Sequence, residues 1–126
     1  MKKILVFFLF SLLFTAINAQ KQSIDELKKS IQSVDNQQKV DKLNELSSRL
    51  TNTGSYDAIT YAQQAFDLAT QIHYPDGKAV SCDNLGLAYL SRNDFKNAMM
   101  QFVDGLKIRN ELDDKKGGER KFMSLQ

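Results

Sequence analysis

The chain has 126 residues with one proline, six glycines, one cysteine and one histidine. That leaves room for a single domain, and it excludes an internal disulfide and a metal site built on histidines. A formal charge of +2 is too small for the basic field that holds nucleic acid, and the scarcity of proline and glycine predicts helix throughout.

Residues 1–19 read as a signal peptide. Lys2 and Lys3 form a basic head, an apolar run of 14 residues extends from Ile4 to Ile17, and Ala19 stands where a signal peptidase would cut. The run is shorter than the roughly 20 residues that cross a bilayer, so cleavage after Ala19 is expected rather than anchoring. The chain is then exported, into the periplasm if bacterial. Cleavage removes Lys2 and Lys3 and leaves 15 basic side chains against 15 acidic ones, so the excess charge belongs to the export signal.

Ser23, with Glu26 three residues on, has the spacing of a capping box and predicts the start of a helix within residues 20–35, with Ile24, Leu27, Ile31 and Val34 on one face. A second helix is expected to about Thr51, with Val40, Leu43, Leu46 and Leu50 at spacings of three and four, and Thr51 to Gly54 should reverse the chain. A third, from about Ser55, carries Ala58, Ala62, Ala65 and Ala69, small residues that let another helix approach closely. His73, at its end, is expected to cap it, and Pro75 to stop it. The fourth runs from Lys78 to about Ser91. Asp94 caps the fifth, whose apolar side is Ala98, Phe102, Gly105, Leu106 and Leu112, and which should end near Asp113 to Gly118. Glu119 to Gln126 reads as the start of a sixth.

A shift of 40 residues lays Val40 on Val80, Asn44 on Asn84, Leu50 on Leu90, Ala58 on Ala98, Ala65 on Gly105, Phe66 on Leu106 and Gly77 on Gly117. Small falls on small and large on large. The units are 36–75 and 76–115, with a partial third at 116–126 in which Phe122 and Leu125 lie under Cys82 and Leu85.

The order of side chains from Cys82 to Ala98 resembles the tetratricopeptide repeat. Leu85, Gly86, Tyr89, Ala98 and Phe102 match its positions; Cys82 replaces the usual aromatic residue and Gly105 the usual alanine. The first unit matches mainly through Ala58, Ala65 and Ala69, since Leu46 and Arg49 stand where glycine and tyrosine are expected. The period of 40 exceeds the roughly 34 residues of the commonest form. The resemblance implies an all-α solenoid of antiparallel helix pairs, two full repeats and a half, preceded by a short helix over 20–35.

It also implies a concave groove lined by Asn44, Ser47, Asp83, Asn84, Leu87 and Leu90. An amide donates and accepts, so Asn44 and Asn84 are read either as hydrogen-bonding an extended peptide or as bonding neighbouring backbone. Met99 and Met100 are either an adaptable surface or a helix-facing pair. The lone His73 cannot supply a metal set, and Cys82 is expected to be an inert core group. No phosphate loop, carboxylate pair or nucleophile with a base is present in the sequence, so neither catalysis nor a cofactor is expected. The expectation is a scaffold for a protein or peptide, touching the membrane only through the signal segment or a span downstream of Gln126. The second expectation is the leading part of a longer membrane signalling protein, of histidine kinase or transcriptional regulator type. Self-association through the C-terminal half repeat is also expected, because helix-pair arrays need about three units and a polar cap.

Overall fold

The computed structural model describes the backbone of residues 1–124 and the side chains of residues 1–19 and 23–117. Every regular element among the described residues is helical: α1 (Lys2–Ser30), a 3-10 turn (Ile31–Ser33), α2 (Asn36–Asn52), α3 (Asp57–Gln71), α4 (Pro75–Leu90) and α5 (Phe95–Ser124).

Three boundaries differ from the sequence expectation. The capping box at Ser23 does not form, because the apolar run before it is itself helical and places Ser23 inside α1; its hydroxyl instead accepts from Arg49 at 2.6 Å. Asp35 is the residue that caps a helix start, accepting from the Gln38 N–H at 2.9 Å. Pro75 opens α4 rather than merely ending α3, since the first helical position needs no N–H. Finally, α5 does not stop at Asp113 to Gly118 but continues to Ser124. An exposed glycine in a helix costs only about 1 kcal/mol, so it weakens α5 there without breaking it. Phe122 and Leu125, expected to begin a third repeat, lie outside the described side chains.

Each of α2, α3 and α4 closes in the same way, on a residue with left-handed backbone: Gly54 (φ 70°), His73 (φ 56°) and Asn93 (φ 60°). At each, two backbone N–H groups reach back to carbonyls of the last turn. Ser55 bonds Leu50 and Gly54 bonds Thr51; Tyr74 bonds Ala69 and His73 bonds Thr70; Asp94 bonds Tyr89 and Asn93 bonds Leu90. His73 therefore ends α3 through its backbone, whereas its side chain was expected to cap. Asp94 then caps the start of α5, accepting from the Asn97 N–H at 3.2 Å.

These tight joints, three or four residues long, make consecutive helices antiparallel where they pack: α2 on α3, α3 on α4 and α4 on α5. Two reversals leave α2 and α4 parallel, and they also touch. The alanine stripe explains how. Ala58, Ala62, Ala65 and Ala69 are all buried, so α3 presents almost no side-chain bulk to its neighbours. Val40, Leu43, Leu46 and Leu50 fill the space between, and Leu27 and Ile31, with Ile24 partly buried beside them, cover the near side. The apolar half of α1, from Ile4 to Ile17, touches none of this and is exposed on every side. Over Lys2–Ser33 the helix is long and apolar enough to cross a membrane.

Candidate binding surface

Asn44 and Asn84 are 4% and 7% exposed, and both amides are spent inside the protein. Asn44 Nδ2 donates to the Gly77 carbonyl at 3.1 Å. Asn84 Nδ2 donates to both the backbone carbonyl and the Oδ1 of Asn44, each at 3.1 Å. Ser81 adds a second donor to the Gly77 carbonyl at 2.9 Å, and Ser47 Oγ donates to the Ala58 carbonyl at 2.7 Å. Among the described residues no buried side-chain polar atom lacks a partner. A buried polar group left unpaired costs about 1–3 kcal/mol, so this network fixes the register of α4 on α2.

Asp83 is half-buried and faces α5, where Arg109 grips it with two nitrogens, one of them at 3.2 Å. The hydrogen bonds to that carboxylate raise the Arg109 pKa above its ordinary value against the opposing cost of burial. Leu87 and Leu90 are exposed. Of the six residues expected to line a groove, three are therefore interior, one is clamped between α4 and α5, and two face outward.

The open stripe on α4 includes Val80, the repeat counterpart of Val40, which helical periodicity places on the face of Leu87. Val80 and Leu87 lie seven residues apart, hence on one face, and are 44% and 46% exposed. The other faces of α4 are occupied by α2, α3 and α5. Alongside, α2 presents Asp41 and Glu45. Asp41 accepts from the Tyr74 hydroxyl at 3.0 Å, and Glu45 pairs with Arg49 at 3.1 Å. Burial, helped by the Asp41 carboxylate, raises the Tyr74 pKa. Both carboxylates, of Asp41 and Glu45, are thus partnered within the chain.

The repeat-signature residues sit at helix contacts. Cys82, Leu85 and Ala98 are buried, as are Ala58 and Ala65, and Tyr89 is half-buried. A Cβ on Gly86 would stand 2.5 Å from the Phe102 ring, and one on Gly105 would stand 3.2 Å from Cys82 Cβ and from Asp83 Oδ1. Burial, followed by the nearby Asp104 and Asp83, pushes the Cys82 thiol up to about 11. Among the described residues no three His, Cys, Asp or Glu side chains gather to hold a metal ion.

The chain is an all-helical protein. No family model, curated protein or solved structure matches it.

Proposed function

We propose that this chain is an exported, non-catalytic scaffold of tetratricopeptide type that binds a protein segment along the outer faces of α2 and α4. The reading is carried by one observation, the exposed Val80 and Leu87 on a helix whose other faces are packed. An apolar strip on an otherwise satisfied helix has a binding use where scattered exposed residues do not. The interlocked asparagines support a rigid platform for it: they hold α2 and α4 parallel at a fixed register, which keeps the strip straight. The complementary segment carries bulky apolar side chains at alternate positions or one helical turn apart.

Panning a phage-displayed random peptide library against the immobilised chain tests this. Wild type and a variant at an exposed site away from the strip, Gln64→Ala, should enrich the same apolar peptides, while Leu87→Asp with Val80→Asp should enrich none of them. Equal enrichment by the doubly substituted chain would overturn the reading.

The unbroken α1 favours a second arrangement of the same scaffold, held at a membrane rather than released. The exposed apolar half leads by continuous backbone into Leu27 and Ile31 in the core. The mass of the exported protein separates the two: loss of residues 1–19 means release, and an intact N-terminus in the membrane fraction means anchoring.

A further inference from the structure

Apart from the apolar half of α1 and the α4 strip, an apolar face lies exposed on the outward side of α5. Phe95, Met99, Phe102, Val103 and Leu106 are exposed there, joined by Leu90 at the end of α4. The 40-residue shift explains why this face is apolar. Its counterpart on α3 includes Ile59 and Phe66, which are partly buried, and α4 lies against that helix. No described segment of the chain does the same for α5. The apolar half of α1 touches nothing, and beyond Leu106 the helix runs on to Ser124, about 27 Å at 1.5 Å per residue, carrying the chain away from the face.

We infer that a second copy of this chain covers the face, through an antiparallel α5–α5 pairing about a two-fold axis near Met100. The occupant follows from self-complementarity. In an antiparallel pair centred there, Phe95 of one copy lies across from Leu106 of the other, and Met99 across from Phe102. The same register brings Lys96 of one copy within one residue of the level of Asp104 of the other, a gap a lysine side chain spans, twice over by symmetry. Both charged residues flank the apolar side chains Met99, Met100 and Val103. Neither forms an ion pair among the described residues. A parallel pairing would instead set Lys96 against Lys96. This surface is separate from the α2–α4 strip, so the pairing stands whether or not that strip binds a peptide.

The test uses the full chain expressed in cells. Cys82 is buried and its thiol is held protonated, so an engineered cysteine is the reactive one. Met100→Cys, at the axis, should cross-link into a species of twice the chain mass on mild oxidation, and Gln64→Cys on the exposed side of α3 should not. In the Met100→Cys background, Lys96→Glu alone and Asp104→Lys alone should each lower the cross-linked fraction several-fold. Co-expressing those two variants should restore it, because each copy then offers the charge that the other lacks. That restoration also shows that both variants fold. Absence of the dimer, cross-linking to a different protein, or a cross-linked fraction indifferent to the charges would each overturn the pairing.

Discussion

The Asn84 amide reaches two oxygens of Asn44, a residue 40 positions earlier, and Asn44 in turn reaches the Gly77 carbonyl at the start of α4. Equivalent positions of two units thereby bond to each other rather than to a ligand. Asn84→Ala strands the buried Asn44 Oδ1 and should cost about 1–3 kcal/mol, whereas Asn44→Ala should cost less, because the Gly77 carbonyl keeps Ser81 and the Asn84 amide keeps the backbone carbonyl of residue 44. The double variant should cost less than the sum by at least about 0.5 kcal/mol, because the second substitution removes a group already stranded. Urea denaturation of the four proteins measures the cycle, and strict additivity would mean that the two asparagines act apart.

The left-handed joints predict stabilising and destabilising changes of opposite sign. His73 has φ 56°, which a side chain with a Cβ adopts at a cost, so His73→Gly should raise stability by up to about 1 kcal/mol even though glycine gains freedom in the unfolded chain. Gly54 has φ 70° and nothing near its missing Cβ, so Gly54→Ala should lose about 1 kcal/mol through backbone strain alone. Asn93→Gly should change least, since asparagine tolerates this conformation. Thermal midpoints rank the three.

Two glycines in α4 should respond differently to alanine. At Gly77 the new Cβ meets the Tyr74 ring at 2.5 Å and Val40 at 2.8 Å, and both are fixed, Val40 by full burial and Tyr74 by its bond to Asp41. Gly77→Ala should therefore cost about 1–3 kcal/mol despite better helix propensity. At Gly86 the obstacle is the Phe102 ring, which is 36% exposed and can swing outward. Gly86→Ala should fall within about 1 kcal/mol of wild type because propensity offsets the displacement, whereas Gly86→Leu should cost about 1–3 kcal/mol. Chemical denaturation distinguishes these outcomes, and a destabilised Gly86→Ala would mean that Phe102 is not free to move.

What could be read from the chain follows the range of the forces involved. The stripe Val40, Leu43, Leu46 and Leu50 and the alanines of α3 were legible because helical periodicity is local. So was the Asp94 cap. The Ser23 box failed because a cap needs non-helical backbone before it, and the apolar run supplies helix instead. The 40-residue shift paired Asn44 with Asn84 correctly as equivalents, but whether an amide points inward depends on where the neighbouring helix lies. Asp83 and Arg109, 26 residues apart on different helices, left no local signal at all. Val80 matches Val40 in kind yet differs in burial, because α4 covers Val40 at Gly77 and no described segment covers Val80 in the same way.

The Cys82 thiol predicts how stability falls in alkali. Its pKa is pushed up to about 11 in the folded protein, mainly by burial, whereas in the unfolded chain it stays near 9. Above pH 9 the unfolded state loses this proton while the folded state keeps it, so unfolding becomes progressively easier up to about pH 11. At pH 10 the loss from this group amounts to about 1 kcal/mol. Tyr74, also raised, adds to the decline above pH 10. Cys82→Ala should show a flatter dependence between pH 9 and 10 than wild type, although it is less stable at pH 7 because the core loses the sulfur. Urea midpoints at pH 7, 9 and 10 provide the comparison. Thiol labelling of the wild type at pH 8 should proceed only as fast as the protein opens, since the thiolate forms only once Cys82 meets water. Labelling at the rate of an exposed cysteine would mean that the α4–α5 contact around Cys82, Gly105 and Asp83 is not closed in solution.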